Sequence, residues 1–144
     1  MKKTNILLTP AIRSAETLRT RFEINNLLCL ALGATFFGTG IAKVVTVDFV
    51  LETFQGSNLA PGLLGAIGLL EILAATLTII PTTRLLGSGL ISLIMTGAIA
   101  YHMMRAEWML VTIPVAALAM ALSSLLLELS LRKAEPAPAS TYAS

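Results

Sequence analysis

Glu71 interrupts the apolar stretch 62–80, which holds no other ionisable residue. An ionisable side chain near the middle of a bilayer costs at least ~2.5–3.5 kcal/mol on insertion scales, so such groups generally relay protons, bind something or meet a buried partner. Counted from Gly62, Glu71 lies roughly 14 Å below one membrane surface at ~1.5 Å per residue, close to the midplane. Lys43 ends an earlier apolar stretch, and Thr39 lies one helical turn deeper on the same face. Ser88, Ser92, Met95, Ile99 and His102 form a stripe at helical spacing that ends near the same surface as Lys43. These levels describe a funnel. Lys43 and His102 stand at its mouth, Thr39 below them, Glu71 at the bottom and Met95 beside it. The chemistry such a set offers is proton exchange at Glu71, the candidate catalytic group. Thr39, Lys43, Met95 and His102 are candidate ligand contacts. Plainer roles stay open. Lys43 can snorkel from a helix end, His102 can be a boundary histidine, and Glu71 can make a structural hydrogen bond inside a bundle.

Other chemistries lack their residues. A single histidine cannot supply a bis-His haem or a His-rich metal site, and Met103 and Met104, next to it, point elsewhere on a helix. No phosphate loop, dinucleotide fingerprint or HExxH is present, and no nucleophile–base set is legible from spacing. No metal site and no tightly bound cofactor is expected. Cys29 is the sole cysteine, so the chain alone has no disulfide and no dithiol chemistry. The formal charge of +2 is not gathered into a basic block, which excludes a nucleic-acid partner.

The elements that must position these residues follow from composition. The chain of 144 residues is 56% hydrophobic and 12% charged, with a mean hydropathy of +0.83. Soluble domains average roughly 45–50% apolar and about 25% charged residues. This protein therefore has too little polar surface for a water-soluble globule, and the lipid bilayer is its expected partner. Four apolar segments, about 26–43, 61–80, 85–104 and 108–127, are each long enough to cross a hydrocarbon core of ~30 Å. Backbone polar groups in lipid must bond within their own segment, so each should be a helix. The expected fold is all-α, a membrane-embedded four-helix bundle running up-down-up-down.

Two shorter helices are expected outside the spans. Thr9 and Pro10 make a plausible helix start, and Ala11, Ala15, Leu18 and Phe22 share a face with Arg13, Arg19 and Arg21 off it. That pattern, over 10–23, predicts an amphipathic helix lying along the inner membrane surface or a solvated leader. Met1-Lys2-Lys3 imitates a signal peptide, but the apolar run after it is short and arginines follow, so no cleaved signal is expected. In the first outer loop, Val47, Val50, Leu51 and Phe54 predict a short amphipathic helix that ends at Gly56-Ser57-Asn58. The chain thus divides into an interfacial segment at 1–24, a transmembrane domain at 25–130 and a disordered tail at 131–144. Lys2, Lys3, Arg13, Arg19, Arg21, Arg84, Arg132 and Lys133 fall on one side, and Lys43 and Arg105 on the other. The positive-inside rule places both termini in the cytoplasm.

Several of these residues also fit a family pattern. Phe37-Gly38-Thr39-Gly40-Ile41-Ala42-Lys43 resembles the F-x-x-G-x-x-K end of the first membrane helix in the DoxX and DoxX-like families. Gly68-Leu69-Leu70-Glu71 resembles their G-x-x-E in the second, and Arg84, Met95, Ala98 and His102 resemble the rest of the signature. The resemblance covers about 25–127 and implies a small four-helix bacterial inner-membrane protein. Relatives are linked to thiosulfate:quinone oxidoreduction and to membrane assemblies that handle sulfur or oxidative stress. Three readings follow. The first is a membrane subunit of quinone- or sulfur-linked redox metabolism that binds a small apolar molecule near Glu71, with a quinone as the candidate ligand and a soluble or membrane redox protein as partner. The second is a small proton-coupled transporter that uses the embedded Glu as a homo-oligomer. The third is a non-catalytic anchor or assembly subunit. No autonomous catalytic motif selects an enzyme among them.

Overall fold

The computed structural model describes residues 10–45 and 61–134. Four helices account for nearly all of them. They are α1 (Pro10–Val45), α2 (Pro61–Ile79), α3 (Arg84–Met104) and α4 (Trp108–Ala134). All four are long and apolar enough to span a membrane. Each packs on its sequence neighbour, and α1 also packs on α4, which closes an antiparallel four-helix bundle. The expected all-α, up-down-up-down architecture is the one observed.

The turns have local causes. Pro81 cannot continue α2, because its ring excludes the helical hydrogen bond. The Thr83 hydroxyl then donates to the Leu77 carbonyl at 2.9 Å and so serves one of the carbonyls freed at the end of α2. Between α3 and α4 the chain reverses through Ala106, a non-glycine residue with φ of 57°. That left-handed step lets Ala106 N–H reach the Met103 carbonyl and Glu107 N–H reach the His102 carbonyl at 3.0 Å.

The core sits at mid-height. Leu32 and Phe36 of α1, Ala74 and Ala75 of α2, Ile91 and Met95 of α3 and Ala121 of α4 form one buried cluster. The outer faces carry exposed Leu27, Leu69, Leu86, Leu93, Ile113 and Leu126. Lipid tails cover such surface in place of protein.

Two expected boundaries move. The amphipathic segment at 10–23 is helical from Pro10, but it joins the first span as one helix of 36 residues rather than a separate element flat on the membrane. No glycine or proline occurs between Ala11 and Leu32, so nothing interrupts the turns. A helix of that length runs to about 54 Å, well beyond a ~30 Å hydrocarbon core, so its first turns project past the bilayer. They carry the exposed Arg19–Glu23 pair at 3.0 Å. At the other terminus α4 continues to Ala134, so residues 131–134 are helix rather than tail. The expected helix in the first outer loop lies outside the described residues.

Candidate functional site

Glu71 lies midway along α2 and is 3% exposed. Lys43, two residues before the end of α1, reaches it. Its Nζ donates to Glu71 Oε1 at 2.7 Å and to Oε2 at 2.6 Å. The Thr39 hydroxyl lies 3.3 Å from Glu71 Oε2 and also 3.3 Å from the Phe36 carbonyl, so its one proton is shared between two long bonds. Distances this short between ammonium and carboxylate mark a charge-assisted pair.

Two glycines make the reach possible. A Cβ on Gly40 would stand 2.7 Å from the Gly68 carbonyl, and one on Gly68 would stand 2.8 Å from the Gly40 carbonyl and 2.9 Å from Lys43 Cβ. The backbones of α1 and α2 touch at this crossing, as small residues allow in membrane bundles. Lys43 therefore starts level with Gly68, and its stem runs about one turn inward to Glu71. Met95 is buried in the core cluster with Phe36 and Ala75, which lie about one turn inward of Thr39 and Glu71. It belongs to the apolar floor under the pair.

His102 stands at the same end of the bundle as Lys43, but its bond goes elsewhere. Its Nδ1 lies 2.7 Å from Glu107 Oε2, while Arg105 Nε donates to Glu107 Oε1 at 2.7 Å. The Tyr101 and His102 rings meet edge to face at 5.4 Å, and the Arg105 guanidinium stands 5.7 Å from the Tyr101 centroid. The hydrogen bond from Arg105, then that from His102, holds the Glu107 carboxyl below its ordinary pKa, and the same Arg105–Glu107 bond raises that of Arg105. The turn through Ala106 brings these groups together. Of the expected funnel, Thr39, Lys43 and Glu71 converge, Met95 lies beneath them, and His102 is held within the α3–α4 turn.

A second polar cluster escaped the reading of the sequence. It lies toward the end of the bundle where α1 begins and α4 finishes. Asn25, Cys29, Ser88 and Ser124 are all essentially inaccessible. The Ser124 hydroxyl donates to Asn25 Oδ1 at 3.0 Å and lies 3.2 Å from Cys29 Sγ and 3.3 Å from Ser88 Oγ. Asn25 Nδ2 donates to Glu128 Oε2 at 2.9 Å, and Arg132 Nε donates to Glu128 Oε1 at 3.1 Å. The network ties α1, α3 and α4 together, and a satisfied buried network rigidifies the elements it joins. The spacing of Asn25 to Cys29 and of Ser124 to Glu128, four residues in each case, was its available signal.

Among the described residues, no group of three or more His, Cys, Asp or Glu side chains is placed to hold a metal ion. The chain has no match among curated proteins or solved structures. The model of the DoxX-like family matches residues 27–124, a range that holds Thr39, Lys43, Glu71, Met95 and His102. With most of its length inside that match, and four membrane-length helices around the residues that carry it, this chain belongs to the DoxX-like family.

Proposed function

We propose that this multi-pass membrane protein is a membrane subunit of redox metabolism that binds a small apolar molecule bearing carbonyl groups, of the quinone class, against Glu71, Lys43 and Thr39. One observation carries the reading. A carboxylate and an ammonium face each other between α1 and α2, with a loosely held hydroxyl beside them. An ammonium has three N–H donors. Two reach Glu71, and the third suits a carbonyl oxygen. The Thr39 proton, divided between two bonds of 3.3 Å, can turn to the same ligand. These residues therefore fit a quinone head by donor set. A bound quinone supplies a two-electron acceptor within the membrane, and a redox partner protein supplies the electrons. Glu71 holds or releases a proton at its carboxyl oxygens, Lys43 balances its charge, and His102 stays at the rim with Glu107.

The orientation we propose puts Arg19, Arg21, Arg84, Arg132 and Lys133 in the cytoplasm and the Lys43 end outward across an inner membrane. A cation exchanged at Glu71 would have to displace Lys43 from both carboxylate oxygens, so the transporter reading draws less support. The same closed pair favours a second reading, in which it pins α1 to α2 in a non-catalytic assembly subunit. Titration of a short-chain quinone into protein in lipid nanodiscs separates the two. Redox binding predicts saturable affinity that falls at least tenfold in Glu71→Gln. Equal binding by wild type and variant would leave only the structural pin.

A further inference from the structure

The end of the bundle where α1 begins and α4 finishes carries a groove of about 440 Å³ that the Glu71 site does not involve. Leu18 and Phe22 of α1, Pro81 before α3, and Leu131 of α4 make its apolar wall. Arg84, Arg132 and Glu128 make its polar wall. Arg84 is the unusual member. It is only 7% exposed, its Nε is buried, and that nitrogen has no hydrogen-bond partner. A buried guanidinium nitrogen left without an acceptor is unfavourable, so the arrangement calls for an acceptor from outside the described residues. Arg84 also opens α3, where Thr83 provides no side-chain cap to the first turn. The free N–H groups of a helix start add partial positive charge at the same place.

The charge balance identifies the acceptor. Glu128 is engaged by Arg132 Nε and by Asn25 Nδ2, and Arg132 Nη2 reaches the Thr82 carbonyl at 3.4 Å, which holds that side chain across the groove. Two guanidinium groups and one carboxylate leave a single positive charge, beside an Arg84 Nε that has no acceptor. A guanidinium fork matches the oxygens of a phosphate in bidentate fashion. The apolar wall beside it, with Phe22 50% exposed, matches the start of an acyl chain and not a free aqueous ion. We infer that this groove holds the phosphodiester headgroup of a singly charged anionic phospholipid, with Arg84 as the principal contact and Arg132 as the second. The first turns of α1, which project past the bilayer, form one wall of the site and place it at headgroup level.

Native mass spectrometry of the full chain, released from nanodiscs of mixed phosphatidylglycerol and phosphatidylcholine, tests this. The wild type is expected to retain one phosphatidylglycerol per chain, enriched at least tenfold over phosphatidylcholine. Arg84→Gln should abolish the enrichment, Arg84→Lys should reduce it by keeping charge without the fork, and Arg132→Gln, at an exposed side chain, should weaken it severalfold. Lys133→Gln, a neighbouring charge outside the groove, should leave it intact. Millimolar inorganic phosphate should not displace the lipid. Equal retention of both lipids, full retention by Arg84→Gln and Arg132→Gln, or loss of phosphatidylglycerol to inorganic phosphate would each overturn the assignment. The quinone titration of Glu71 is independent of every one of these outcomes.

Discussion

The Lys43–Glu71 pair makes an asymmetric prediction about stability. Glu71 is 3% exposed, whereas the Lys43 side chain is 20% exposed and sits near a helix end. Removing the lysine leaves a carboxylate sealed inside the bundle. Removing the carboxylate leaves an ammonium whose flexible stem can turn back toward the membrane surface. Breaking a buried ion pair from one side costs about 3–5 kcal/mol, and losing one hydrogen bond to a charged group costs about 1.5–3 kcal/mol. Lys43→Met should therefore fall in the first range and Glu71→Gln in the second. Lys43→Met/Glu71→Leu removes both charges and should recover much of the loss, because apolar replacement of a buried pair is often close to neutral. At roughly 3 °C per kcal/mol, Lys43→Met should melt about 10 °C below wild type. Cys29 is a natural reporter, since it is the sole cysteine and has no accessible surface. A thiol-reactive fluorogenic maleimide labels it only as the bundle opens, so thermal ramps in detergent read the order of the three variants. If Lys43→Met melts no lower than Glu71→Gln, or the double variant shows the sum of both losses, the pair is not a buried coupled unit.

Gly68→Ala places a methyl 2.8 Å from the Gly40 carbonyl and forces α1 and α2 apart, so the same assay should show a loss of about 1–3 kcal/mol. Ala106→Gly relieves a left-handed φ of 57° and should raise stability by about 1 kcal/mol, observed as a higher melting temperature. The Glu107 carboxyl is held below its ordinary value of 4.5, so its contribution is complete above that value and fades as the pH falls through the lowered one. Stability measured from pH 7 downward should show an acid limb that Glu107→Gln removes.

The architecture was legible because lipid demands long apolar stretches and leaves their backbone one solution, the helix. Ends were less legible. Amphipathic composition suggested a separate first helix, but the absence of any breaker before Gly33 fused it to the span. Thr39 and Lys43 could be placed on one face by their spacing, and the depth of Glu71 by counting. That the three touch depends on the Gly40–Gly68 crossing, a fact about two helices that neither states alone. Helical spacing puts His102 at the mouth of a funnel, whereas its bond to Glu107 depends on a reversal through a non-glycine residue that carries no turn signal. The Asn25–Ser124 network and the unpartnered Arg84 were hidden for the same reason. Spacing pairs Asn25 with Cys29 and Ser124 with Glu128 inside their own helices, but the meeting of those pairs, and the burial of Arg84, depend on how distant helices pack.

The central functional claim is that a ligand engages the Glu71 carboxyl itself. Infrared difference spectroscopy on adding a short-chain quinone to the reconstituted protein reads that group directly. A carboxyl-region difference band is expected on ligand addition, one that disappears in Glu71→Gln and shifts in Lys43→Met. A difference spectrum identical in wild type and Glu71→Gln would contradict it.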